Sequence, residues 1–399
     1  MRTALAAAVA LSTMAVTNAC TASTPTATSS SGVASASLPV APVATAAAAG
    51  FVTTNGRSFE VDGTPFRFVG ANIYDAAASD RYSCRSGNRM SDAQLTDTLR
   101  YLHDEAGVTA IRFWAYQTYT QGATYWGGVD RVLAAARATG IRAIPVLEDG
   151  PGNCTTSTGT TPKSAYEGDT WYSAGYKKPY GNATLSYREY VARITAHYAD
   201  NPTILGWMMM NEADTSRRDT LTRSVLVDFA SDMVRVIRAA DPNHLITVGT
   251  QGNGAPGASG ADFSAVYGVQ GVDFAEVHDW GYWGSDAEPM PGGTGSTPPS
   301  GTSPACMVPS APIGCSFALA AKLDKPLIVG EAGIRGVTAV ERTTRAHQLR
   351  AKMSAAFSAG ASGYVIWSVT TGETDGYDVL TTTNDPLITQ LRAVAEEIR

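Results

Sequence analysis

Eight short apolar runs, most of them separated by a stretch of helical character, recur along the chain: residues Phe66–Asn72, Val108–Trp114, Ile141–Leu147, Ile204–Met210, Leu245–Gly249, Val272–Val277, Leu327–Gly330 and Gly363–Trp367. Runs of this length, apolar for the most part, read as strands covered on both faces. The intervening stretches carry helix punctuation. Ser91 stands as a cap before Asp92–Glu105, and Val129–Thr139 ends at Gly140. Leu185–Tyr198 closes at Asn201-Pro202, and Ser224–Ala240 stops at Asp241-Pro242. A short helix near Phe317–Leu323, another over Arg345–Ala359 ended by Gly360, and a last over Asp385–Glu397 complete the series. Strand–helix alternation demands a parallel sheet, because only a crossover helix returns the chain to start a parallel neighbour. The expectation is a closed (β/α)8 TIM barrel with enlarged loops at the C-terminal ends of its strands. A doubly wound sheet is the alternative. Ahead of the first strand, Asp62-Gly63 between alternating apolar residues of Ser58–Val69 predicts a hairpin that plugs the barrel bottom.

In such a barrel the C-terminal strand ends share one cleft. Reading those ends yields Asn72, Arg112, Trp114, Glu148, Asn211, Glu212, His278, Glu331 and Trp367. Two strands far apart in sequence thus end in one glutamate each, in I-L-G-W-M-M-M-N-E and P-L-I-V-G-E-A-G. Two facing carboxyls, one ionised and one protonated, are what retaining glycoside hydrolysis requires. Aromatic rings offer apolar faces to the C–H faces of sugars.

With these residues in view the chain resembles the retaining (β/α)8 glycoside hydrolases, and most closely glycoside hydrolase family 5. The resemblance rests on N-P-T-I-L-G-W-M-M-M-N-E (Asn201–Glu212), D-P-N-H-L-I-T-V-G (Asp241–Gly249), V-H-D-W (Val277–Trp280), V-G-E-A-G (Val329–Gly333) and Y-V-I-W-S (Tyr364–Ser368). F-R-F-V-G-A-N-I-Y (Phe66–Tyr74) and A-I-R-F-W-A-Y (Ala110–Tyr116) are similar to the β-mannanase branch. It implies Glu212 as acid/base and Glu331 as nucleophile. It implies that Asn211 holds the sugar 2-hydroxyl, that Arg112 orients the nucleophile, and that His278 sits beside the acid/base or the sugar. Trp367 would floor the subsite, and Asn72 and Trp114 would join the substrate-binding set. Where the family reads His-x-Tyr this chain has Trp280, with Tyr282 two residues on; of these, Tyr282 is expected to serve the nucleophile through its hydroxyl. Ala213 replaces a frequent proline after the acid/base, and Glu148-Asp149 occupy a place where relatives often carry His or Asn.

The implied function is hydrolysis of a β-linked polysaccharide, first β-1,4-mannan by an endo-acting mannanase. A cellulase, another β-glycanase or an exo-β-glycosidase is the alternative, and a non-catalytic carbohydrate-binding protein the remote one. A wall at one cleft end formed by the loop 281–316 would favour exo action. No metal or organic cofactor is needed. G-N-G-A-P-G (Gly252–Gly257) mimics a dinucleotide fingerprint, but Pro256 and Ala-Ser-Gly follow where a helix should open.

Composition bounds the partners. Net charge is −6 and no basic run occurs, which argues against nucleic acid. Residues 1–19, with Arg2, the apolar stretch Ala4–Val16 and small residues before Cys20, have the form of a secretory signal, too short to be a membrane span. Export is expected, with Cys20 a possible lipid-anchor site at the cell surface, although Thr17 stands where such signals carry Leu. Residues 20–49, rich in Ala, Ser, Thr and Pro, form an expected flexible linker, and residues 50–399 the catalytic domain, acting as a monomer. In an exported chain the four remaining cysteines suggest disulfides. Cys306 pairs with Cys315 within one loop, and Cys84 would pair with Cys154, although four cysteines allow three connectivities.

Overall fold

The computed structural model describes residues 50–78, 89–149, 170–179, 183–252, 254–280, 303–309, 311–372 and 375–399. The expected leader (1–19) and linker (20–49), Cys84, Cys154 and Tyr282 lie outside them. A small antiparallel sheet comes first, from β1 (Val52–Asn55), β2 (Ser58–Val61) and β3 (Thr64–Phe66). Asp62 and Gly63 both have positive φ, 50° and 76°, which a two-residue hairpin turn needs. The hairpin is present, and the alternation of Val52 to Asn55 adds a third strand that sequence reading passed over.

The barrel follows in chain order. Its strands are β4 (Phe68–Asn72), β5 (Ala110–Trp114), β6 (Arg142–Val146), β7 (Gly206–Met208), β8 (Leu245–Thr247), β9 (Ala275–Asp279), β10 (Leu327–Ala332) and β11 (Gly363–Ile366). They form one parallel sheet in which β11 lies beside β4, as closure of the barrel's last strand onto its first requires. The remaining seam between β8 and β9 is bridged by main-chain bonds, from Asp273 N–H to Ile246 O at 2.8 Å and from His278 N–H to Gln251 O at 3.1 Å. The expected eight-stranded barrel is therefore the observed one.

Helices α1 (Asp92–Ala106), α2 (Gly127–Thr139), α3 (Tyr187–Tyr198), α4 (Leu226–Ala240), α5 (Ala261–Tyr267), α6 (Ile313–Lys322), α7 (Ala339–Ser358) and α8 (Pro386–Glu397) lie between or after the strands. Ser91 caps α1 reciprocally with Gln94, and Ser186 caps α3 with Glu189. Several boundaries differ from the sequence expectation, and three of them are informative. Helix α7 begins at Ala339 and not near Arg345, because Thr338 and Glu341 form a capping box that outweighs its weak apolar periodicity. Strands β9 and β10 run on through His278 and Glu331, since their polar side chains point into a barrel that satisfies them. The short α5 was not expected. Behind β9, Asp279 points outward and is held by Lys352 and Tyr364, both at 2.8 Å. Cys306 and Cys315 are joined by a disulfide.

Gly249, just past β8, has φ of 80°, and its carbonyl accepts the N–H of Ala213 at 2.9 Å. A Cβ at this position would be driven into the Met210 carbonyl. Gly140 also has positive φ, 74°, yet a Cβ there would meet nothing within 4 Å. Gly140→Ala should therefore cost about 1 kcal/mol, from backbone conformation alone. Gly249→Ala should cost about 3 kcal/mol or more, because it adds a collision with backbone. Urea unfolding of the two variants checks this, and equal losses would contradict it.

Candidate active site

The site is built around a guanidinium. Strand alternation turns Arg112 of β5 into the barrel, where it has 0% exposure. Its Nη1 donates to Oε1 of Glu331 at 2.6 Å and to Oδ1 of Asn72 at 3.0 Å. Nη2 donates to Oδ1 of Asn211 at 2.6 Å, and Nε–H points at the Met208 sulfur at 3.2 Å. The Trp114 ring lies 4.7 Å from the guanidinium carbon. Asn72 donates its amide to the carbonyls of Gly330 and Ile366 at 3.0 and 3.2 Å. One planar fork thus ties β4, β5, β7, β10 and Asn211 of the segment after β7 together.

Glu331 reaches Arg112 because β10 is irregular. Val329 pairs with Val277 and Glu331 with His278, so Gly330 is an extra residue on the β10 side. Such a bulge re-aims the side chain that follows it. Glu212, after β7, adopts φ of 50°, a left-handed backbone that a non-glycine residue rarely takes. The neighbouring bonds compel it: Asn211 N–H donates to Glu148 O at 2.6 Å and Ala213 N–H to Gly249 O. Strain of this kind is found where a side chain must be presented in one direction.

Across the cleft from Arg112, His278 Nδ1 lies 2.8 Å from Oε1 of Glu212 and 3.5 Å from Oε2 of Glu331. One oxygen of each glutamate and a ring nitrogen of His278 all lie within 4.8 Å of one another. That closeness matches the roughly 5–5.5 Å between carboxyls of retaining glycosidases and not the wider gap of inverting ones. Among the described residues this is also the grouping that a cation could be considered for. His278 Nδ1 and Glu212 Oε1, 2.8 Å apart, have the spacing of a hydrogen-bonded pair.

Electrostatics follow from burial and partners. Burial alone would lower His278, but the carboxylates of Glu331, Glu212 and Glu276 overcome it and raise the imidazole to about 10. Burial presses Glu212 upward, yet the bond and charge of His278, with help from Arg112, hold it below the usual carboxylate range. Glu331 is raised by its burial against the pull of His278 and Arg112.

Trp280 donates its indole N–H to Oε2 of Glu331 at 3.2 Å. Trp280 therefore already serves that oxygen, and the expected Tyr282 hydroxyl lies outside the described residues. Trp367 is half-buried, stacked on Tyr74 at 4.9 Å and 10°, with Trp114 and Trp280 at 5.8 and 5.7 Å. Trp114 is itself buried, so it supports Arg112 and Trp367 from beneath. Trp171 and Tyr172 pack on Phe229, and Trp126 stacks on His197. Asn72, Arg112, Trp114, Asn211, His278, Trp280 and Trp367 are thus gathered with the two glutamates. Sequence reading missed Tyr74, Asp149, which accepts the Asn211 amide at 2.9 Å, and Glu276. Strand alternation back from His278 was the one signal available for Glu276.

Arg112→Ala would leave Glu331 buried beside Glu276 without its cation. It should destabilise the fold by about 3–5 kcal/mol in urea unfolding, and a loss under about 1 kcal/mol would contradict the account.

Comparison with known proteins places these observations. The model of the family described as Cellulase (glycosyl hydrolase family 5) matches residues 69–373. The protein named "Probable mannan endo-1,4-beta-mannosidase C" of Aspergillus terreus is 26% identical over 282 residues, covering 59% of this chain and 66% of its own length. Mannan endo-1,4-beta-mannosidase 1 of Oryza sativa subsp. japonica is 25% identical over 261 residues, covering 58% and 59%. The chain therefore spans about three fifths of the length of these curated relatives. Among solved structures, the endo-1,4-beta-mannanase of Rhizomucor miehei superposes with TM-score 0.60 at 19% identity, covering 87% of this chain and 99% of that one. XacCel5A, solved in complex with cellopentaose, superposes with TM-score 0.54 at 13% identity, covering 82% and 99%. At these identities the structural likeness establishes the barrel.

Proposed function

The chain belongs to glycosyl hydrolase family 5, and on that premise we propose that it is a retaining β-glycosidase acting on β-1,4-mannan. The observation that carries the reading is the pair Glu212 and Glu331, with oxygens within 4.8 Å and Glu331 held by Arg112 at 2.6 Å. In the first step Glu331 attacks the anomeric carbon while Glu212 protonates the departing glycosidic oxygen. Arg112 and the Trp280 indole hold both nucleophile oxygens, so the carboxylate is oriented before the sugar arrives. In the second step Glu212 takes a proton from water, and that water releases the sugar from Glu331. Asn211, fixed between Arg112 and Asp149, keeps one amide hydrogen for a sugar hydroxyl, and Trp367 offers a ring face.

Mannan is favoured by the names of the relatives and by the mannanase-like opening motifs. Cellulose or another β-glucan is the second reading, favoured by the family's description and by the cellopentaose complex of a structural neighbour. Export, with or without lipid attachment at Cys20, accords with a polymer that cannot enter a cell. No helix of the described residues is long and apolar enough to cross a membrane.

Sugar release from mannan, glucomannan, cellulose, xylan and β-1,3-glucan by the wild type and by Glu331→Ala is the test. Mannan should be cleaved, and Glu331→Ala should lose at least about 10³-fold in kcat/KM. Release from another glycan alone would overturn the substrate. Equal release by the variant would overturn the mechanism.

A further inference from the structure

A third glutamate lies beneath the catalytic pair. Glu276 of β9 has 0% exposure, and neither carboxylate oxygen makes a hydrogen bond of good geometry among the described residues. An isolated buried carboxylate is costly, so its surroundings must repay it. Its Oε1 lies 3.4 Å from Nε2 of His278 and 3.5 Å from Nε of Arg112. The His278 Nε2 itself has no better partner. Space for the carboxylate comes from Gly330, where a Cβ would be driven into it. The glycine that aims Glu331 into the cleft therefore also admits Glu276.

The groups facing His278 are Glu276 on its own strand, Glu212 from the turn after β7, and Glu331 from β10, with Arg112 of β5 beyond. Asp279 faces away, toward Lys352 and Tyr364. Three carboxylates thus surround two cationic side chains. The imidazole thus has a carboxylate at each nitrogen: Nδ1 is hydrogen-bonded to Glu212, and Nε2 lies 3.4 Å from Glu276.

From this arrangement we infer that Glu276 is a positioning residue: through Nε2–H it keeps His278 charged, so that the Glu212–His278 pair stores the proton that the leaving oxygen receives. The inference rests on the glycosidase reading. The pair holds one acid proton in either of two places, on Nδ1 of His278 or on Oε1 of Glu212. As the bond from the anomeric carbon to the leaving oxygen breaks and the bond to Glu331 forms, Glu212 gives its proton to that oxygen. In the charged pair that proton has come from Nδ1 of His278, so the step leaves Glu212 ionised and His278 neutral, with Nε2–H still facing Glu276. In the second step the water's proton returns to the pair as the bond to Glu331 breaks. Glu276 touches neither sugar nor reacting atoms. Its negative charge resists loss of the stored proton as pH rises.

The test is imidazole ¹⁵N NMR of the full chain labelled at its five histidines, with the His278 signals assigned by His278→Gln and kcat/KM followed against pH on the best glycan. Wild-type His278 should remain protonated on both nitrogens at pH 8. In Glu276→Gln its titration, and the alkaline limb of kcat/KM, should fall by about 1–3 pH units. Glu276→Asp, which keeps the charge, should restore most of the shift. A His278 that is neutral at pH 7 in the wild type would overturn the inference, and so would a folded Glu276→Gln that leaves its titration unmoved. Should Glu276→Gln fail to fold, the neutral Glu276→Met takes its place in the same titration, and an unmoved His278 there would overturn the inference. The NMR reading needs no substrate, so absence of glycan cleavage would defeat the proposed function without touching this result.

Discussion

A guanidinium with no exposed surface must be surrounded by acceptors, and the centre of this barrel is arranged to provide them. Arg112 meets Glu331, Asn72, Asn211 and the Met208 sulfur at once. Buried ion pairs are poor sources of stability, because desolvation offsets much of the attraction. What such a pair does supply is position. A fork with fixed donor directions admits few arrangements of the strands that carry its acceptors. The Glu331 carboxylate, the Asn211 amide beside Glu212, and the strand walls between them are therefore placed by one side chain.

The charges beyond Arg112 continue the same logic. His278 would be neutral if burial alone acted on it, yet three carboxylates keep it cationic. Each of those carboxylates in turn depends on a cation for its burial. The site is thus a cluster in which charge on one member is the condition for charge on the next. Apolar substitution at one position would leave its partners unpaired, which is why the cost concentrates there and not along the outer helices.

Backbone exceptions mark where this cluster is anchored. Glu212 holds a left-handed backbone, Gly330 inserts an extra residue into β10, and Gly249 accepts the amide that follows Glu212 through a conformation closed to other residues. All three lie within or next to the two strand ends that carry the carboxylates. Left-handed backbone also occurs in turns elsewhere, as at Asp62, but at these three positions it or the bulge directs a side chain of the site.

Much of this was legible in the residues alone. Period and punctuation reveal the eight strands, because alternation of apolar runs with capped helices leaves few architectures open. The strand ends then name both glutamates, Arg112, Asn211 and His278, since a parallel barrel gathers those ends whatever its loops do. Local signals failed where energy came from across the barrel. The lengths of β9 and β10 were set by polar partners on other strands, whereas the start of α7 followed a local signal, the capping box of Thr338 and Glu341, that sequence reading passed over. Sequence could not tell that Trp280 would turn its indole N–H onto Glu331, that Gly330 would form a bulge, or that Glu276 would lie under His278. Those facts depend on distances of about 3 Å between residues far apart in the chain, and only closure of the barrel brings such residues together.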